Sequence, residues 1–443
     1  MPRLSTAVPW CVCALLNGLL VGPPASAQPP ASPAQVGARA RARGSAPLRH
    51  GFAVDRLARM DSLLEAAVAQ EEIGGAVVLV LRDDAVVYER AAGWSDREAR
   101  RPMTTDAVFR IASQSKALTS AAVMMLIEDG RLTLNTPVSR YLPSFARTTV
   151  SMRTDTGVAL VPAKRAITIR DLLTHTAGIS YGTEPSVRAA YEAAGLGPAA
   201  GLGWYTADKT EPLCTTMDRV GTLPFVAQPG EQWVYGYNTD LLGCIVERVS
   251  GLSLDAFLRT RLTQPLGMRD THFFLPVSQR ERLVTVYSRD TGRVKRAPDG
   301  ARGQGHYVDG PRTNMSGGAG LVSTARDYAR FLQMIAHHGQ WDGRQYLAPH
   351  TVALMTTNQV GTLHGATLGF GLGFETTEQY GANGWASRGT FGWAGAYGSN
   401  YKVDPAEGLI IVVMINQLPS GTDIVGRLQT LVYSALRDAR TVR

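Results

Sequence analysis

The spacing of apolar and polar positions changes along this chain, and each change predicts an element. From Val54 to Glu71 apolar residues recur at three- and four-residue intervals, the spacing of an amphipathic helix. Ala76–Leu81 and Ala85–Tyr88 are short β-branched runs separated by Arg82-Asp83-Asp84, which predicts a hairpin. A second hairpin is predicted near the other end: Asn400–Val403, a turn over Asp404-Pro405-Ala406-Glu407-Gly408, then Leu409–Ile415, followed by an amphipathic helix. Two terminal hairpins separated by helical patterns predict an α+β fold, with one antiparallel sheet formed by both chain ends, helices flanking it, and a mostly helical inserted region. The expected division is a sheet domain of residues 51–134 and 311–443 and a helical domain of residues 135–310. Inside the latter, Thr168 and Asp171 form a capping box that opens a helix through His175, and another helix runs from about Thr239 to Ser250 and stops at Gly251.

The first 50 residues follow neither period. An apolar stretch from Ala7 to Val21 leads to Ala25-Ser26-Ala27, a small-x-small pattern, which predicts a signal peptide over residues 1–27. Residues 28–50, rich in Pro, Ala, Gly and Arg, predict a flexible leader. The expected location is periplasmic or secreted, and no later stretch has the roughly 20 apolar residues of a spanning helix. The net charge of +8 raises a nucleic-acid or membrane partner, but Arg3, Arg39, Arg41, Arg43 and Arg49 supply five of those charges. The remaining surface is only slightly basic, so no nucleic-acid partner is expected. Cys11 and Cys13 fall in the signal, leaving Cys214 and Cys244 either bridged or as two buried thiols. Spacings such as C-x2-C or H-E-x-x-H do not occur, and neither metal nor cofactor is expected.

Two serines compete for a catalytic role. Gly178-Ile179-Ser180-Tyr181-Gly182 matches G-x-S-x-G, but a nucleophile elbow needs a strand before its serine and a helix after it. Ser180 follows a helix and a Gly178 cap, so it is not expected to react; His175, in the last turn of that helix, is expected to be structural. Ser113, in Ala112-Ser113-Gln114-Ser115-Lys116, starts a helix that is apolar nearly all round and therefore buried, with Lys116 three residues on, on the same face. A serine hydroxyl needs a base, and a lysine becomes one when desolvation favours its neutral form. The spacing alone also fits an N-cap serine and a snorkelling lysine. Ser399-Asn400-Tyr401-Lys402 repeats it on a predicted strand, where residues three apart point to opposite faces.

In its surroundings, Ser113 to Lys116 resembles the S-x-x-K of the serine β-lactamase and penicillin-binding protein superfamily. Residues 131–143, Ile167–Gly178, Pro229-Gly230-Glu231-Gln232-Trp233-Val234-Tyr235, Asp240–Gly243 and Phe391–Ala396 resemble class C β-lactamase-related proteins in the same order. The resemblance covers about residues 52–435 and implies a β-lactamase/transpeptidase-like fold in which the HTAGISYG segment is a structural turn. It implies Ser113 as the acylated nucleophile, Lys116 as its base or proton relay and Tyr235 as a proton shuttle. It places the oxyanion hole at the backbone amides of Ser113 and Ala396, with Gly395 letting a strand pass close to the substrate. Two departures narrow the chemistry. Trp393-Ala394-Gly395 replaces the Lys-Thr-Gly that holds a substrate carboxylate, an interaction of roughly 1.5 to 3 kcal/mol. Tyr237 stands where the family has an asparagine, and Asn238 follows it. Both features resemble family VIII carboxylesterases and imply an exported serine hydrolase of small carboxylic esters, with Trp393, Gly395, Tyr237 and Asn238 as substrate-binding candidates and Gly201–Trp204 as a further pocket wall. The alternatives are a β-lactamase, D-amino-acid peptidase or acyltransferase of the same superfamily, or a non-catalytic ligand-binding module.

Overall fold

A computed structural model describes residues 48–155, 157–197, 206–290, 292–301 and 303–440. The expected signal peptide, the leader up to residue 47 and the Gly201–Trp204 wall lie outside the described residues. Both predicted hairpins form. Strands β1 (Gly75–Arg82) and β2 (Ala85–Asp96) are joined at Asp83 and Asp84, whose φ values of 46° and 65° make the tight left-handed turn that matches strand twist. After β3 (Arg101–Pro102), the sheet resumes at the far end of the chain with β4 (Leu368–Phe370), β5 (Glu375–Thr377), β6 (Phe391–Ala394), β7 (Asn400–Asp404) and β8 (Leu409–Ile415). The order is β4-β5-β6-β7-β8-β1-β2-β3, antiparallel throughout, so the chain ends meet where β8 pairs with β1. Every residue of β1 and of β8 is buried, which explains their unbroken apolar runs: central strands covered on both faces need no polar side.

One face is covered by α1 (Arg59–Ala69) and the C-terminal α6 (Ile424–Ala435), through Met60, Leu64, Leu428 and Val432. The other carries α2 (Ser115–Glu128) and α5 (Ala325–Ala336). The helix expected over 54–71 is broken at Ala58 into Val54–Leu57 and α1. The middle of the chain holds α3 (Ile169–Leu173), with its capping box in place, and α4 (Asn238–Ser250), stopped by Gly251 at φ 76°. It also contains strands: Thr149–Thr154 pairs with Gly157–Pro162 and with Pro224–Phe225, and Tyr287–Asp290 pairs with Arg293–Arg296. A disulfide joins Cys214 to Cys244 on α4, which resolves the open choice between a bridge and two free thiols.

Candidate active site

Ser113 sits in a single 3-10 turn, Ala112–Gln114, immediately before α2. Ala112 adopts a left-handed backbone (φ 43°), a conformation that costs a non-glycine residue free energy and persists only where neighbours hold it. Here they do: the Leu321 amide donates to Ser115 Oγ at 3.0 Å and the Tyr328 hydroxyl to the Gln114 carbonyl at 2.9 Å. The apolar body of α2 buries Lys116 among neighbours that leave it three acceptors: Ser113 Oγ at 3.2 Å, Tyr181 Oη at 3.1 Å and the Gly318 carbonyl at 2.8 Å. Three donors therefore meet three acceptors, and the amine is aimed at the serine hydroxyl. The second S-x-x-K behaves otherwise: Ser399 bonds the backbone of Ile415, while Lys402 donates to Asn383.

Tyr181 is the residue the sequence reading missed. It follows Ser180, which is fully buried and accepts from the Gly182 amide. Burial holds the Tyr181 phenol well above its ordinary range, and the neighbouring Tyr235, with which it shares a hydrogen bond, adds to this; it is a neutral hydroxyl. Tyr235 is reached from three sides. Its hydroxyl accepts from Trp393 Nε1 at 3.3 Å, its ring stands edge-on to Tyr181, and Lys116 Nζ lies 4.6 Å from its ring centroid. Beneath it lies His175, kept neutral by burial and then by the charge of Lys116, with ring centroids 4.9 Å apart. The HTAGISYG segment is thus the floor of the site. Its backbone ties down residues 226–234 through Val226 N to Gly178 O and Val234 N to His175 O, and a Cβ on Gly236 would lie 2.2 Å from the Ile179 oxygen.

Strand β6 brings Trp393 and, just beyond its end, Gly395 and Ala396 against this turn. Ser113 and Ala396 line one cavity of about 220 Å³ together with Ala112, Tyr307, Ala319, Tyr397 and Leu418, none of them charged. A Cβ on Gly395 would sit 2.5 Å from the Ile111 carbonyl, so glycine lets the chain beyond β6 close against the turn that carries Ser113. A larger cleft of about 860 Å³ is bounded by Tyr181 and Tyr235 together with Val150–Arg153, Thr183–Ser186 and Trp233. Two of the expected substrate-binding residues lie away from the cavity at Ser113. Asn238 is fully buried, donating to the Ile179 and Val234 carbonyls and lying 2.9 Å from His175 Nδ1, because opening α4 at this residue turns its amide into the floor loop. Tyr237 packs behind Tyr181, accepts from the Gly197 amide, and is pushed by burial to about 12, so it backs the site and does not border the cavity at Ser113.

A lysine-contacted serine before a buried helix, a tyrosine hydroxyl and a second tyrosine ring beside the lysine and a glycine-edged strand opposite define the class: a serine hydrolase on the β-lactamase/transpeptidase-like fold. The chain belongs to the Beta-lactamase family, whose sequence profile matches residues 60–433. It is 32% identical over 400 residues to Esterase EstB of Burkholderia gladioli, covering 86% of this chain and 94% of that protein. To the Lovastatin esterase of Penicillium rubens it is 30% identical over 404 residues, covering 84% and 96%. Among solved structures, EstCE1, described as a hydrolase with promiscuous acyltransferase activity, superposes with a TM-score of 0.71 at 29% identity, covering 86% of this chain and 99% of that one.

Proposed function

We propose that this protein is an exported carboxylesterase that forms an acyl-enzyme at Ser113. The observation that carries the reading is the 3.2 Å contact between Lys116 Nζ and Ser113 Oγ at the edge of a cavity with no charged lining. From the free-amine form of Lys116, Ser113 Oγ attacks the ester carbonyl as its proton passes to Lys116 Nζ, which hands a proton on to Tyr235 as Tyr235 gives up its own. The oxyanion is received by the Ser113 and Ala396 amides, and the leaving alcohol takes its proton from Tyr235. A water then enters by the reverse route and releases the acid. Trp393 occupies the place of a carboxylate-binding cation, which favours neutral acyl groups, and the names of two relatives, both esterases, support ester substrates. Acyl transfer to an alcohol uses the same intermediate, and the description of EstCE1 supports it as a second reading. The pattern of residues 1–27 and the Cys214–Cys244 bridge support export to an oxidising compartment.

The reading predicts that p-nitrophenyl butyrate is turned over far faster than a chromogenic cephalosporin. Trp393→Lys should improve the apparent affinity for the anionic cephalosporin by about tenfold or more. A wild-type enzyme that prefers the cephalosporin sinks the ester assignment.

A further inference from the structure

The carbonyl that receives Lys116 belongs to a turn with its own anchor. Gly318 O accepts from Lys116 Nζ at 2.8 Å, while the Gly318 amide, at 3.1 Å, and Ser316 Oγ both donate to Asp240 Oδ1. A Cβ at Gly318 would fall 2.4 Å from Asp240 Oδ2, so the turn is pressed onto the carboxylate. Asp240 is 5% exposed and, among the described residues, no cation lies within ion-pair distance of it. Its Oδ2 receives no hydrogen bond from the described residues.

Lys209 is a cation at the same small cavity as Asp240. Lys209 is 7% exposed, and its ammonium makes no hydrogen bond to the described residues. It lines, with Asp240, Ser316, Thr216, Leu213 and Met217 among others, a small cavity of about 20 Å³, the size of one water. Burial lowers the Lys209 amine from its ordinary range, Glu211 and then Asp240 act in the opposite direction, and Arg219 adds to the lowering. Glu211 is the stronger of the two acids on Lys209, but both its oxygens are engaged by Arg219 and one also by Thr216. Asp240 is left as the carboxylate without a cation of its own. Removing a buried charge from water is costly unless an opposite charge or hydrogen bonds compensate it, so an ammonium and a carboxylate around one water-sized cavity stabilise each other.

We propose that Lys209 is a positioning residue for the reaction at Ser113: through a water shared with Asp240 it holds the Ser316–Gly318 turn and offsets the carboxylate that would otherwise act on Lys116 alone. The proposal rests on the role of Lys116 given above.

The test is the pH profile of kcat for p-nitrophenyl butyrate in the mature protein, for wild type, Lys209→Met, Asp240→Asn and the double variant. Labelling of wild-type Ser113 by a fluorophosphonate is checked first, so that failure of the nucleophile assignment shows in the wild type and is not charged to Lys209. In Lys209→Met, kcat should fall about tenfold with KM nearly unchanged, and the acidic limb should move to higher pH by about one unit, the scale of one facing charge. In the double variant the limb should return toward the wild-type position, because the carboxylate charge is gone while the amide oxygen still accepts from Ser316 and Gly318. A wild-type limb in Lys209→Met, or a shift that Asp240→Asn does not reverse, overturns the proposal. If Lys209→Met does not fold, the double variant decides: a folded enzyme with the wild-type limb supports the pair, and a double variant no better than Lys209→Met overturns it.

Discussion

Three acceptors around one buried amine set the chemistry at the scale of the residue. Lys116 touches the serine, a tyrosine and a backbone carbonyl, so removing any acceptor frees the amine to turn away from Ser113. Tyr181→Phe should therefore lower kcat by about tenfold to a hundredfold, the worth of a hydrogen bond to a charged group, with KM changed little. Steady-state kinetics check this, and an unchanged kcat would return Tyr181 to packing alone. This tyrosine also marks a limit of reading residues in order. Ser113 and Lys116 were legible because helix geometry places positions three apart side by side. Tyr181 reaches the same amine from a different segment, and no local spacing reports that. Gly395 was legible as a close approach, but what approaches it is the Ile111 carbonyl.

At the scale of the element, the floor loop depends on how α3 begins. Thr168 Oγ1 accepts from the Asp171 amide, and Asp171 Oδ2 accepts from the Thr168 amide, while Arg165 donates to both Asp171 oxygens. Burial alone would raise the Asp171 carboxyl, but the hydrogen bonds from Arg165 and Thr168 outweigh it and hold it below the usual range. Because the folded value is the lower one, this carboxylate's contribution to stability is complete above about pH 4 and fades as the pH falls further. Thr168→Ala should cost about 1 kcal/mol in urea denaturation at pH 7. In Asp171→Asn the decline of stability below pH 4 should be shallower than in wild type; an equally steep decline would assign that loss to other carboxylates. The capping box, the hairpins and the Gly251 stop were all legible because each is written in consecutive residues. The break at Ala58 and the strands at 149–162 were not, since tertiary packing decides between weak local preferences.

The whole molecule explains why the site lies where it does. A sheet closed by pairing β8 with β1 carries β6 and its glycine to the nucleophile turn, and the middle of the chain returns with Tyr181, Tyr235 and Asp240. The surroundings of Ser113 are thus a product of three distant segments. The most direct measurement is to treat the purified protein with a fluorophosphonate ester and locate the modified peptide by mass spectrometry. The account predicts a single adduct on Ser113 that disappears in Lys116→Ala; an adduct on Ser180, or Ser113 labelling undiminished without Lys116, would contradict it.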